Sequence, residues 1–367
     1  MEMYIGMDIH CKKTVYMIQE CSGKVVAQGS VPTSVEGFSK MVDELGVPSG
    51  TKIGLESGPQ SWWVSGVLSG LGMKPVVIDA REVRAKARRI NQKSDFRDAF
   101  EICDGLRRGI YTAIVYVPEP QIQRLRQVLS RRRHFVKICT SQVNAAKFLL
   151  RSVGLSREAA FLKSNGAWQR LMRRPAVRPL NRYLEMHRDL WQLAQEKVVA
   201  LEKELDQALE PFRETCGLLR SVPGIGPITS ASYIAVLGKP DRFPDSSHLV
   251  SYIGLAVSTY NSGERERHGH ITKRGSGELR MLLCEAAHHA ANARHPLNPY
   301  FRRIAARHGY KKAVVAVAQR LARILFQMWR KDQAFDVGQL NVVSARQSRV
   351  HRVYWRIKET KEEVVSV

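Results

Sequence analysis

Four acidic residues, Asp8, Glu56, Asp95 and Asp98, have the type and spacing to do chemistry together. Asp8 follows the apolar run Met3-Tyr4-Ile5-Gly6-Met7, and Glu56 follows Ile53-Gly54-Leu55. If the two runs are neighbouring strands, each carboxylate emerges at a strand end. Asp95 and Asp98 stand three apart in Lys93-Ser94-Asp95-Phe96-Arg97-Asp98-Ala99, a spacing that puts both on one face of a helix. Four carboxylates converging on one point repel unless cations lie between them. Hard oxygen ligands that leave room for water and phosphate suit Mg²⁺. Two such ions can clamp the attacking and leaving oxygens of a phosphodiester. The expectation is metal-dependent chemistry on nucleic acid.

Charge points to the same substrate. The 367 residues include 58 Lys and Arg against 34 Asp and Glu, a net charge of +24, which suits a polyanionic partner through phosphate contacts and counterion release. The charge is concentrated: residues 120–183 hold fifteen Lys and Arg and a single acid, Glu158. Six scattered cysteines, Cys11, Cys21, Cys103, Cys139, Cys216 and Cys284, form no CxxC pair, which argues for reduced thiols and against a zinc ribbon or a disulfide framework. The N-terminus shows no charged region followed by an apolar signal core. No stretch approaches the roughly 20 apolar residues that span a bilayer.

The elements that must position the acids follow from periodicity. Tyr4–Asp8, Thr14–Gln19, Val25–Gln28, Lys52–Glu56 and Pro75–Ile78 read as strands. Ser34–Leu45, with Ser34 as cap, Ser61–Leu71 and Asp95–Arg108 read as helices. Trp62 and Trp63 are expected in the core. Three strands, then helix, strand, helix, strand and helix, is the order of an RNase H-like fold, in which acids sit on one rim of the sheet. The expected domains are 1–118 with this α/β fold, a helical arm at 119–215, a mainly helical part at 216–335 and a basic tail at 336–367. In the arm, Gln121–Leu150 and Leu184–Leu209 carry apolar residues at spacings of three, four and seven, a pattern that suits a coiled coil. The arm either joins subunits, lies along a nucleic-acid backbone or serves as a spacer.

The third part begins with Val222-Pro223-Gly224-Ile225-Gly226 before a helix at Ile228–Leu237. Two glycines around one apolar residue between helices suit a helix-hairpin-helix, in which Gly224 and Gly226 let backbone approach a phosphate at a helix N-terminus. Further on, Asn261-Ser262-Gly263 precedes Lys273-Arg274-Gly275 and Arg280. Read by itself, Ser262 is a polar loop residue beside a glycine, with no GxSxG elbow and no evident His or Asp partner. His268, His270, His288, His289 and His295 match no standard zinc spacing and are expected at the surface or against phosphates.

Taken together, Tyr4-Ile5-Gly6-Met7-Asp8, Leu55-Glu56-Ser57-Gly58, Lys93 to Ala99, Val222 to Gly226 and Asn261-Ser262-Gly263, in that order, resemble the DEDD transposases of the insertion sequence 110 family, related to the Piv DNA invertase. The resemblance covers nearly the whole chain. It departs from the family pattern at Ser94, where Thr is usual, and at Asn261, where a charged residue is common. It implies an N-terminal RuvC-like domain supplying Asp8, Glu56, Asp95 and Asp98 as Mg²⁺ ligands, and a C-terminal transposase domain supplying Ser262 as nucleophile through a phosphoserine link to DNA. Lys273, Arg274 and Arg280 become candidates to hold phosphates, with ordinary backbone anchoring as the alternative. Donor and target DNA, an element-encoded bridge RNA and a homo-oligomer are the implied partners, in a prokaryotic cytoplasm near the nucleoid, with no membrane. The Arg-rich stretch 124–182, with Arg131, Arg132 and Arg133, suits an RNA or DNA backbone. Two rival classes stay open: a hydrolytic RuvC-like junction nuclease using the acids alone, and a non-catalytic helix-hairpin-helix DNA-binding protein.

Overall fold

The computed structural model describes residues 2–86, 94–159, 162–262, 265–338 and 340. The chain divides into two compact units, Met1–Glu119 and Pro120 onward.

The first unit is built on five strands, β1 (Met3–Ile9), β2 (Lys13–Glu20), β3 (Val25–Pro32), β4 (Lys52–Glu56) and β5 (Lys74–Ile78), in the order β3-β2-β1-β4-β5. β1 pairs antiparallel with β2 and parallel with β4, and β4 pairs parallel with β5. This mixed sheet fits an RNase H-like arrangement. Strand alternation decides which side chains face which layer. Ile5, Met7, Ile53 and Leu55 are fully buried on the face that receives α1 (Val35–Glu44) and α2 (Ser61–Gly70). Each such side chain contributes about 1.5–3 kcal/mol. The Ser34 hydroxyl accepts from the Gly37 amide and caps α1. The buried face of α2 is Val64 and Leu68; Trp63 is exposed, correcting its expected place in the core. A short helix, α3 (Ala80–Lys86), follows β5.

The opposite face takes α4 (Asp95–Arg107), capped by Ser94, whose hydroxyl accepts from the Arg97 amide. Gly6 and Gly54 are register partners on adjacent strands. A Cβ on Gly6 would lie 2.2 Å from the Ala99 carbonyl and 2.4 Å from the Cys103 amide, and one on Gly54 would lie 2.8 Å from Ile102. Two glycines side by side thus leave room for α4 to lie close against the sheet. The Cys103 thiol donates to the Tyr4 carbonyl at 3.2 Å, and burial pushes its pKa up to about 12.

The second unit is mainly helical. Its long helices α5 (Pro120–Ser152) and α7 (Asn181–Ala208) run antiparallel, with Arg132 paired to Glu202 at one level and His187 meeting Gln142 at 2.8 Å at another. The connection contains α6 (Asn165–Met172), whose Trp168 is fully buried beside Trp191 of α7. Ile122, Leu125, Val128 and Leu129 of α5 join the core of the later helices, whereas Cys139, Ala146 and Leu150 join that of α6 and α7. One continuous helix therefore contributes to both cores. The later part comprises α8 (Arg213–Arg220), α9 (Pro227–Leu237), α10 (Ser246–Tyr252), the two-stranded ribbon β6 (Val257–Ser262) and β7 (Arg265–Ile271), α11 (Gly277–His288), α12 (Asn298–His308) and α13 (Tyr310–Lys331). Among the described residues no helix is long and apolar enough to cross a membrane.

Candidate functional site

Gly6-Met7-Asp8 and Gly54-Leu55-Glu56 share one pattern, a glycine followed two residues later by an acid. The period of two puts each acid on the same face as its glycine. That face is the one α4 covers, so the close approach permitted by Gly6 and Gly54 also carries the first turn of α4, with Asp95 and Asp98, towards the acid-bearing strand ends. Glu56 lies one position beyond the last paired residues Met7 and Leu55, next to Asp8 across the ladder.

Asp8, Asp95 and His10 each place one ligand atom within 4.8 Å of the other two. His10 Nε2 is 3.1 Å from Asp8 Oδ2 and 3.5 Å from Asp95 Oδ1. Burial raises the pKa of Asp8, the charges of Asp98 and Asp95 raise it further, and His10 opposes them. Asp8 is thus a partly buried carboxylate with two others acting on it, an arrangement that a cation would relieve. The donors, carboxylate oxygens at helix and strand ends with one imidazole, fit a divalent ion. Glu56 and Asp98 stand outside the 4.8 Å cluster, Glu56 as a strand neighbour of Asp8 and Asp98 as a charge acting on it. His10 is the residue that sequence reasoning missed; its signal is the Asp8-Ile9-His10 spacing at the β1–β2 turn.

Ser262 is placed differently. It is the last residue of β6, paired with Arg265 of β7, and so belongs to a strand end rather than to a free loop. Its neighbour Gly263 lies outside the described residues, as do the Ser262 side chain, Lys93 and the tail after Leu340. The ribbon is anchored at its base. Thr272 N–H donates to Ala256, and Lys273 N–H to Gly254. A Cβ on Gly254 (φ +74°) would meet the Arg274 carbonyl at 1.9 Å, and one on Gly275 (φ +72°) the Tyr252 carbonyl at 2.1 Å. Lys273 itself has φ +55°, a strained conformation for a residue with a side chain. Arg280 donates to the carbonyls of Ile253, Arg274 and Gly275 at 2.9, 2.7 and 3.2 Å. Its Nη1 is occupied in closing this joint, whereas Lys273 and Arg274 are exposed.

The glycine hairpin joins α8 to α9. Gly224 has φ +86°, and Gly226 is the residue before α9, whose first turn has no side-chain cap. His295 is buried, correcting its expected surface position. Its Nδ1 accepts from the Leu297 amide at 3.1 Å, so its Nε2 carries the proton and donates to the Pro223 carbonyl at 3.1 Å. Of the basic stretch, Arg126 donates to the last carbonyls of α9, Arg132 is held by Glu202 and Arg133 by Glu278. These serve the fold. Arg131 is exposed, as are Lys163, Arg170, Arg173, Arg178 and Arg182 around α6.

A model of the transposases of the IS116/IS110/IS902 family matches residues 216–303, which span the glycine hairpin and Ser262. A DEDD transposase model of the IS110 group matches residues 5–154, which span the acids. The chain is 27% identical over 282 residues to the transposase of insertion sequence element IS1111A of Coxiella burnetii, covering 73% of this chain and 75% of that one. It is 29% identical over 246 residues to the transposase of element IS1328 of Yersinia enterocolitica, covering 64% and 69%. It is also 30% identical over 122 residues to a pilin gene-inverting protein of Moraxella lacunata, covering 32% and 38%.

Proposed function

The chain belongs to the IS116/IS110/IS902 family of transposases, and on that premise we infer that it cuts and rejoins DNA through a covalent bond between Ser262 and a scissile phosphate, with divalent metal held by a RuvC-like centre of Asp8, Glu56, Asp95 and Asp98. The observation that carries this reading is the convergence of Asp8 and Asp95, each from a different element, with the charge of Asp98 acting on the same carboxylate. A Mg²⁺ held by Asp8, Glu56, Asp95 and Asp98 would polarise a phosphate oxygen and offset the charge that develops on it.

The remaining steps belong to the chain's own residues. The Ser262 hydroxyl attacks phosphorus in line, its oxygen–phosphorus bond forms and its proton leaves. The bond from phosphorus to the departing deoxyribose oxygen breaks, and that oxygen takes up a proton. The number of phosphodiester-type bonds is conserved, so reversal by another strand's hydroxyl rejoins DNA without an external energy source. Lys273 and Arg274, exposed at the base of the ribbon, hold the flanking phosphates electrostatically. Gly224, Gly226 and the uncapped start of α9 receive a DNA phosphate. The exposed basic residues, Arg131 among them, serve the backbones of target and donor DNA and of an element-encoded bridge RNA. Recombination must cut four strands, so the working enzyme is a homo-oligomer, acting in the cytoplasm where the element's DNA resides.

A recombination assay tests this reading. A plasmid carrying target and donor junctions is incubated with the protein, Mg²⁺ and RNA transcribed from the element's flank. Strand exchange that requires all three components and is lost in Asp8→Ala and in Ser262→Ala supports it. Simple nicking that survives Ser262→Ala assigns the protein to the hydrolytic nucleases instead.

A further inference from the structure

Resting on the metal-centre reading above, we propose that His10 is itself a metal ligand, giving the acidic centre a nitrogen donor and a preference for Mn²⁺ over Mg²⁺. The imidazole is half exposed, at 49% of its side-chain surface, yet Nε2 is turned onto two carboxylates at 3.1 and 3.5 Å. In the metal-free chain this nitrogen hydrogen-bonds Asp8, but a solvent-exposed His–Asp pair contributes little to stability. The backbone does hold the residue in place. His10 N–H donates to the Lys13 carbonyl at 3.1 Å, and its own carbonyl accepts from the Thr33 hydroxyl at 2.7 Å. Both ends of the peptide are therefore fixed where the β1–β2 turn leaves the sheet.

The distances suit coordination. Adjacent ligands of an octahedral ion at about 2.1 Å stand about 3 Å apart, close to the 3.1 Å between His10 Nε2 and Asp8 Oδ2. Asp95, 46% exposed on its side chain, supplies the third atom from α4. A ligand atom from β1, one from the turn after it and one from the start of α4 can then share one ion, with coordination positions left for Glu56, Asp98, water or a phosphate. Imidazole binds first-row transition ions better than it binds Mg²⁺, which favours all-oxygen shells. The consequence is a centre that works with Mg²⁺ but holds Mn²⁺ more tightly.

The test is made on the full chain, without DNA. Mn²⁺ is titrated into wild type, His10→Ala, His10→Gln and Asp8→Ala, and bound ion is followed by electron paramagnetic resonance. Electron spin-echo modulation then reports any nitrogen bonded to Mn²⁺. The expected result is nitrogen coupling in wild type that is absent from both His10 variants, with Mn²⁺ affinity falling on the order of tenfold or more and Mg²⁺ affinity, read by competition, falling less. Mn²⁺ that binds wild type without nitrogen coupling, is lost in Asp8→Ala and is unchanged in His10→Ala overturns the assignment of His10 and leaves the acidic centre standing. Binding that is absent from wild type, or unchanged in Asp8→Ala, overturns the metal centre and the His10 assignment together.

Discussion

Asp8 and Glu56 stand at the ends of neighbouring strands in a five-stranded sheet with α4 pressed against their face, whereas Ser262 ends one strand of a two-stranded ribbon anchored at its base. The acidic centre is placed by packing: glycines at 6 and 54 admit the helix, and the helix brings its carboxylates. The serine is placed by a joint: glycines at 254 and 275 admit the Arg274 and Tyr252 carbonyls, and Arg280 ties three carbonyls there. A two-stranded hairpin alone is marginally stable in water, so the ribbon takes its orientation from that joint. Rigid placement suits metal ligands, which tolerate little displacement.

The difference predicts separable losses. The largest is chemical. Asp8→Ala and Ser262→Ala should each reduce strand exchange on the order of 10⁴-fold or more, as when one member of a cooperating set is removed. Calorimetry should show that only Asp8→Ala loses divalent-metal binding. If Ser262→Ala also loses it, the two regions are not independent.

Glycine substitutions sharpen the contrast with one change of chemistry in two places. Gly6→Ala should force α4 off the sheet, destabilise by about 1–3 kcal/mol or more and weaken metal binding. Gly254→Ala adds a left-handed strain of about 1–2 kcal/mol to its clash. It should abolish covalent attachment to DNA while metal affinity stays at the wild-type value. Chemical denaturation and metal titration on the same samples check both.

Arg280→Ala should leave three carbonyls without their donor, a loss of about 1–3 kcal/mol, and reduce adduct formation. Arg280→Lys should restore only part of it, since all three bonds come from the single nitrogen Nη1, whose position the shorter lysine chain does not reach. Equal rescue by Lys would mean that Arg280 acts through charge on a phosphate rather than by closing the joint.

The smallest effect is in stability. In chelator, burial and the charges of Asp98 and Asp95 raise the Asp8 pKa. The ionised carboxylate therefore costs stability at neutral pH, and this cost fades as pH falls through the raised value. Asp8→Asn should raise the melting temperature in chelator, whereas added Mg²⁺ should stabilise wild type and not the variant.

The elements that carry the acids are legible because strands and helices announce themselves by period. The runs before Asp8 and Glu56 are apolar, and Ser94 caps the helix carrying Asp95 and Asp98, so three elements and four acids could be placed on one sheet. His10 was missed because a turn residue has no periodic signature; what identifies it is a distance to Asp95, some 85 positions away in sequence. Ser262 by itself was legible only as a loop residue, because a short polar ribbon lacks the alternating apolar face that marks a strand. The basic stretch misled in part. Sequence shows the charge of Arg132 and Arg133 but not Glu202 and Glu278, which fold back to hold them. Trp63 misled likewise: its bulk suggests the core, but the face of α2 that meets the sheet is Val64 and Leu68.

The central claim is that Ser262 forms the bond to DNA with help from a metal centre in the other unit. Its most direct test is to trap and map the linkage. Protein, junction DNA, flanking RNA and Mg²⁺ are incubated, quenched in denaturant and digested, and the nucleotide-bearing peptide is sequenced by mass spectrometry. The account predicts a phosphodiester on Ser262 that fails to form in Asp8→Ala. Cleaved DNA with no attached peptide, or a linkage on any other residue, would contradict it.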